Sequence, residues 1–269
     1  TAVGRSALAG NTTGNYNSAL GYAALNATTT GSTNSAFGYL ALSTNTVSSR
    51  NVAVGYQALT SSNTVAGNSY LVAVGAGALE SNTSGRYNTA LGGNALSTNT
   101  TAENNVAVGT SAMYYNTTGD TNTAVGATSL YENTTGSNNT ALGMHALKSN
   151  TTASNNTAVG NLAGYSTTTG FANSVVGYGA LNLSTTGYHN VALGFNSLSS
   201  NITGSQNVAI GTEALLSHLT NNTTAVGHDS LRSNTTGISN VALGYGSLFS
   251  NTTGSSNVAL GYLGLYNNT

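Results

Sequence analysis

Asn207-Val208-Ala209-Ile210-Gly211-Thr212-Glu213-Ala214-Leu215 decides the fold, because the same string returns along the whole chain with the same pattern of polar and apolar residues. Its glycine has counterparts at Gly4, Gly21, Gly38, Gly55, Gly75, Gly92, Gly109, Gly126, Gly143, Gly160, Gly177, Gly194, Gly227, Gly244 and Gly261. Thirteen of the fifteen intervals between these anchors share one length, seventeen; the step from Gly55 to Gly75 is twenty and that from Gly211 to Gly227 is sixteen. A fixed period of this length marks a stacked repeat, in which each unit buries its apolar side only against its neighbours. Residues 1–269 therefore read as a single continuous repeat array with no room for a linker.

The residue before each anchor is apolar in every copy, and the one before that is Ala except at Val175. Three residues after the anchor stands a small residue, and four after it a Leu, replaced only by Met113 and Gly164. These four columns are the expected core. A unit of this length with one or two Gly cannot make a helical hairpin, while Thr, Val, Asn and Gly favour strand and turn. The expected fold is all-β, a parallel β-solenoid of about sixteen 17-residue coils. Each coil should give two short strands, the anchor string and the x-Ala-Leu segment, stacked about 4.8 Å apart. Adjacent residues of a strand face opposite ways, so two neighbouring apolar columns imply a strand covered on both sides. One face should look into the coil, and the Ala-lined face should pack against another chain or another wall. A symmetric homo-oligomer or an end-to-end filament follows from this.

Composition narrows the function. Only 4% of residues are charged and the formal net charge is −1, which gives nucleic acid binding no electrostatic support. No apolar run approaches the ~20 residues of a membrane span. With no Cys there is no disulfide and no thiolate metal site; no cofactor is expected. The absence of Pro suits a chain whose N–H groups nearly all pair. Thr1 and Thr269 both fall inside a repeat, so the chain reads as a segment of a longer fibre.

Two Asn columns stand out. Four residues before the anchor Asn fills thirteen of fifteen complete copies, Leu71 and Thr223 being the exceptions, and stacked amides can bond along the axis as a ladder. Seven residues after the anchor, Asn opens an Asn-x-Ser/Thr sequon at Asn11, Asn82, Asn99, Asn116, Asn133, Asn150, Asn201, Asn234 and Asn251. On an exposed turn these would be a regular row of glycosylation sites, while plain turn chemistry explains the same pattern. Tyr22, Tyr39 and Tyr56 follow consecutive anchors, and Tyr114 and Tyr131 form another pair; exposed stacks of this kind can contact glycans or simply stabilise the sheet. Ice binding is disfavoured because Thr pairs such as Thr117-Thr118 are adjacent in sequence rather than alternate.

The sparse titratable residues scatter. Glu213 and Asp229 alone come together, both two residues after their anchors in neighbouring coils and beside His228; a solvated pair is the plain reading and a paired-carboxylate or cation site the sharper one. No nucleophile has a base and an orienting group beside it. No enzyme is expected.

Asn207-Val208-Ala209-Ile210-Gly211-Thr212-Glu213-Ala214 and Asn51-Val52-Ala53-Val54-Gly55-Tyr56-Gln57-Ala58 resemble the head repeats of trimeric autotransporter adhesins and of phage tail fibres that share them. The resemblance runs through every repeat. It implies a left-handed β-roll, three chains per rod and a role in surface attachment. The departure is length, since each copy here adds an Asn-Thr-Thr-Gly turn. The expected function is thus a structural extracellular fibre or filament segment, on a cell surface or virion. It would be a rigid rod with an adhesive or display role; the alternative is a glycan- or ice-binding module built on exposed Tyr and Thr ladders.

Overall fold

The computed structural model describes residues 1–62 and 67–268. Among these there is no helix, and the strands recur once per repeat period as a parallel β-solenoid. The chain divides into two compact units, Thr1–Ser137 and Asn138–Thr269. In the first, strands Ala2–Val3, Ser18–Leu20, Ser35–Phe37, Val52–Val54, Val72–Val74, Thr89–Leu91, Val106–Val108 and Thr123–Val125 stack in parallel with Ala opposite Ala. In the second, Thr140–Leu142 through Val258–Leu260 stack in the same way, Val175 taking the Ala place in one rung. The short coil keeps register, with Ala209 opposite Ala225. The long one carries an extra pairing of Ser48–Ser49 with Gly67–Asn68.

Each coil has one core strand where two were expected. The x-Ala-Leu segment is a tight corner, because the residues two and four after the anchor both sit in the left-handed region. A third such residue lies five before the next anchor. Non-glycine members of these columns have φ of +48° to +64°, among them Leu25, Leu42 and Leu59. Left-handed backbone costs an L-residue about 1–2 kcal/mol, and here it recurs in every turn. What offsets it is pairing and burial. Leu25 N–H donates to the Ala41 carbonyl at 3.0 Å and Leu42 N–H to Ala58 at 2.9 Å, so the corner remains bonded coil to coil although it is not extended. The Leu side chain is delivered to the axis, where full burial contributes about 2 kcal/mol.

The anchor glycine is required. At Gly143 φ is +135°, and a Cβ there would lie 2.5 Å from the Gly160 carbonyl oxygen of the next coil.

The interior is narrow: one Leu, two small residues and usually two Asn per coil. Ala is the inward residue of the strand, fully buried from Ala36 to Ala242. The Val/Leu column beside it turns outward and is half-exposed, as at Val176 (38%), Leu193 (43%) and Leu243 (46%). The faces expected from sequence are thereby exchanged. So short a coil has space at its axis for Ala, and the larger side chain is left outside.

Candidate functional site

The strand places three outward columns side by side. Three residues before the anchor stand Ser, Thr or Val; one before it Val, Leu, Ile or Phe; one after it often Tyr or Phe. Neither of the first two columns contains a charged residue in any coil. The outer sheet face of each unit is therefore an uncharged, largely apolar strip, repeated at the strand spacing of about 4.8 Å.

Aromatic residues one and five places after the anchor form ladders. Tyr22, Tyr39 and Tyr56 stack with successive centroids 5.3 Å apart, and Tyr114 stacks on Tyr131 at 5.6 Å with Tyr115 edge-on to both. Ring faces are thus turned on one another, and what the ladders present sideways is ring edges and hydroxyls. Burial, then the Tyr115 hydroxyl, raise the Tyr131 phenol above its ordinary value. In the second unit Tyr245 and Tyr262 at 5.3 Å and Phe249 and Tyr266 at 5.0 Å make two parallel ladders. Between them Gly246 leaves a cleft of about 400 Å³, closed by Asp229 and Leu263. Nothing in the sequence marks this cleft beyond two aromatic residues four apart in each of two consecutive coils.

The sequon row lies inside the solenoid. Asn82, Asn99, Asn116, Asn133, Asn150, Asn201, Asn234 and Asn251 are fully buried, and only Asn11 is exposed. The expectation of an exposed Asn row is corrected on this point. The reason is the carbonyl three residues on: Asn116 Nδ2 donates to Gly119 O at 3.0 Å and to Asn99 Oδ1 at 3.1 Å, and Asn133 Nδ2 to Asn116 Oδ1 at 2.7 Å. The amide closes its own turn and joins a ladder of amides, so its nitrogen faces the core. The other Asn column is buried too, and its rungs run mainly from amide to backbone. Asn156 Oδ1 accepts from Asn173 N–H at 2.9 Å while Asn156 Nδ2 donates to Gly170 O at 2.9 Å.

Glu213 and Asp229 do come together, and a cation from their own chain joins them. Arg232 Nε lies 2.6 Å from Glu213 Oε2 and 3.3 Å from Asp229 Oδ1, and His228 Nδ1 is 3.0 Å from Asp229 Oδ2. The hydrogen bond that Arg232 donates to Glu213 raises the Arg232 pKa above its ordinary value. Sequence reasoning missed Arg232, whose place five residues after an anchor is occupied by Phe249 and Tyr266 in the following coils. The arrangement is a partly exposed ion cluster. Among the described residues no group of three or more His, Cys, Asp or Glu gathers to hold a metal, and no helix is long and apolar enough to cross a membrane.

These features define the class as a β-solenoid repeat protein. No protein-family model matches the chain, and no curated protein matches it in sequence.

Proposed function

We propose that the chain is a structural segment of an extracellular fibre or filament, whose copies associate along the outer sheet face in an adhesive or surface-display assembly. The observation that carries this reading is the uncharged Val/Leu strip, half-exposed in coil after coil. Monomeric proteins seldom leave contiguous apolar patches beyond a few hundred Å². Eight strands at about 4.8 Å, with a strip roughly 10–14 Å wide, give each unit on the order of 400–500 Å². Each unit's strip alone is about half of the roughly 800 Å² per partner of a stable interface. A periodic, uncharged face fits a second copy of itself, coil against coil, and the resemblance to trimeric adhesin heads makes three the expected number. Sedimentation of the purified chain tests this: a trimer is expected at micromolar concentration. Changing Val176, Leu193 and Leu243 to Asp should give monomers with an unchanged β-rich circular dichroism spectrum. A wild-type chain that stays monomeric to 100 µM, on the order of weak-complex concentrations, overturns the proposal.

A second reading, a glycan-binding module, is favoured by the cleft between the Tyr245–Tyr262 and Phe249–Tyr266 ladders, where Asp229 can accept hydrogen bonds from sugar hydroxyls. Binding to a glycan panel that disappears on Tyr262→Ala supports it; binding insensitive to that change removes it.

A further inference from the structure

The coil between Gly211 and Gly227 is one residue short because its turn lacks the glycine found at Gly204 and Gly237 in the neighbouring turns. Both buried Asn columns are interrupted there, by His218 in one and Thr223 in the other. The amide chain that runs in from the next coils ends on this histidine. Asn251 Nδ2 donates to Asn234 Oδ1 at 3.0 Å, and Asn234 Nδ2 lies 2.9 Å from His218 Nδ1. Asn234 Nδ2 also donates to Gly237 O at 2.8 Å. That fixes the Asn234 amide: a flip would break the bond from Asn251 and the bond to Gly237 together. Nδ1 of His218 must accept, so its proton sits on Nε2. On the other side Asn201 Oδ1 and His218 Nε2 are both buried without a hydrogen-bond partner.

We propose that His218 is an acid-operated release point: a proton taken up at Nδ1 sets two donors against each other, expels the ring and opens the coil between Gly211 and Gly227. Neutral imidazole is the only form the site accommodates, since a charged ring would be buried with no counter-ion. Burial pushes the His218 pKa down to about 4; the Thr220 backbone, near the ring but outside hydrogen-bond geometry, pulls the other way. The turns packed before and after it, 199–204 and 233–238, contain no titratable residue. Glu213, His228, Asp229 and Arg232 are the charged and titratable groups nearest in sequence, and their ion pairs are with one another. The sign follows from a folded pKa below the ordinary 6.5. The open coil binds the proton more readily, so closure is fully favoured above pH 6.5 and is lost as the pH falls towards 4. At pH 5 these two values make the open population about 30-fold larger than at pH 7.5.

Native-state hydrogen exchange of the intact chain tests this, with rates corrected for intrinsic pH dependence. Amides of Leu215 and Leu219, which donate to Ser230 O and Thr235 O, should open about 30-fold more at pH 5 than at pH 7.5, ahead of the coils on either side. His218→Asn, which restores the column residue, should abolish that increase; His218→Thr, the residue found at Thr28 and Thr167, serves the same purpose if the Asn variant folds poorly. An equal acid response in wild type and both variants, or a wild-type coil no more acid-sensitive than its neighbours, overturns the proposal.

Discussion

Gly194 and Gly179 should respond very differently to Ala. Gly194 is an anchor with φ of +137°, and a Cβ there would meet the Gly211 carbonyl oxygen at 2.5 Å, its carbon at 2.6 Å and Thr212 N at 3.0 Å. Backbone in a region open essentially to Gly costs a side-chain-bearing residue of order 1–3 kcal/mol. Relieving the contact to an ordinary 3.4 Å requires the next coil to withdraw by close to 1 Å. That sacrifices the bond from Gly211 N–H to Leu193 O, now 2.7 Å, at about 1 kcal/mol. Gly194→Ala should therefore destabilise by about 2–4 kcal/mol in total. Gly179 has φ of +62°, in the left-handed region that Asn196 and Glu213 also adopt in the same column, and its Cβ would meet only the movable Asn196 amide. Gly179→Ala should stay within about 1 kcal/mol of wild type, since the left-handed cost is partly offset by a less flexible unfolded chain. Urea unfolding followed by circular dichroism measures both, with hydrogen exchange locating the loss, because stacked repeats can unfold in parts. Similar losses for the two variants would refute the close-approach explanation of the anchor.

Asn156→Ala strands the Asn173 N–H and the Gly170 carbonyl and should cost about 2–4 kcal/mol by urea unfolding. Asn156→Asp should fare no better at neutral pH, since it keeps the acceptor but buries a charge. Tyr39 has a ring on each side; Tyr39→Leu should lose about 1–3 kcal/mol, roughly twice the loss for Tyr56→Leu at the end of the ladder. Arg232→Gln removes the partner of two carboxylates that are partly exposed, so its loss should be under about 1 kcal/mol and shrink in high salt.

Much of the solenoid is readable because its constraints repeat in phase. An anchor glycine once per repeat and an Ala two before it can be counted, and the Ala-to-Ala register of the strands follows directly. Orientation is not readable from the same columns. Val and Leu beside Ala look like core, yet apolar residues also make up much of any surface, and only the width of the coil decides that Ala209 fits inside and Ile210 does not. The corner at Ala214-Leu215 reads as a strand because Leu is a poor candidate for left-handed backbone, a preference that cross-coil bonding overrides. The sequons mislead for a related reason. Asn116 and its buried equivalents read as turn residues, and they are, but their amides serve the carbonyl three residues on and leave no exposed nitrogen. At the candidate site, the adjacency of Glu213 and Asp229 follows from the anchors, whereas Arg232 and the role of His218 depend on side-chain directions that a period does not encode.

Every buried group in a regular coil is met by its own equivalent one coil away, Asn to Asn and Ala to Ala. A block one repeat long can therefore be gained or lost by recombination between copies without creating a new kind of interior contact. Reach then becomes heritable as copy number, in steps of about 4.8 Å, while the outward positions remain free to diverge. Selection can lengthen such a chain and change its surface as separate traits.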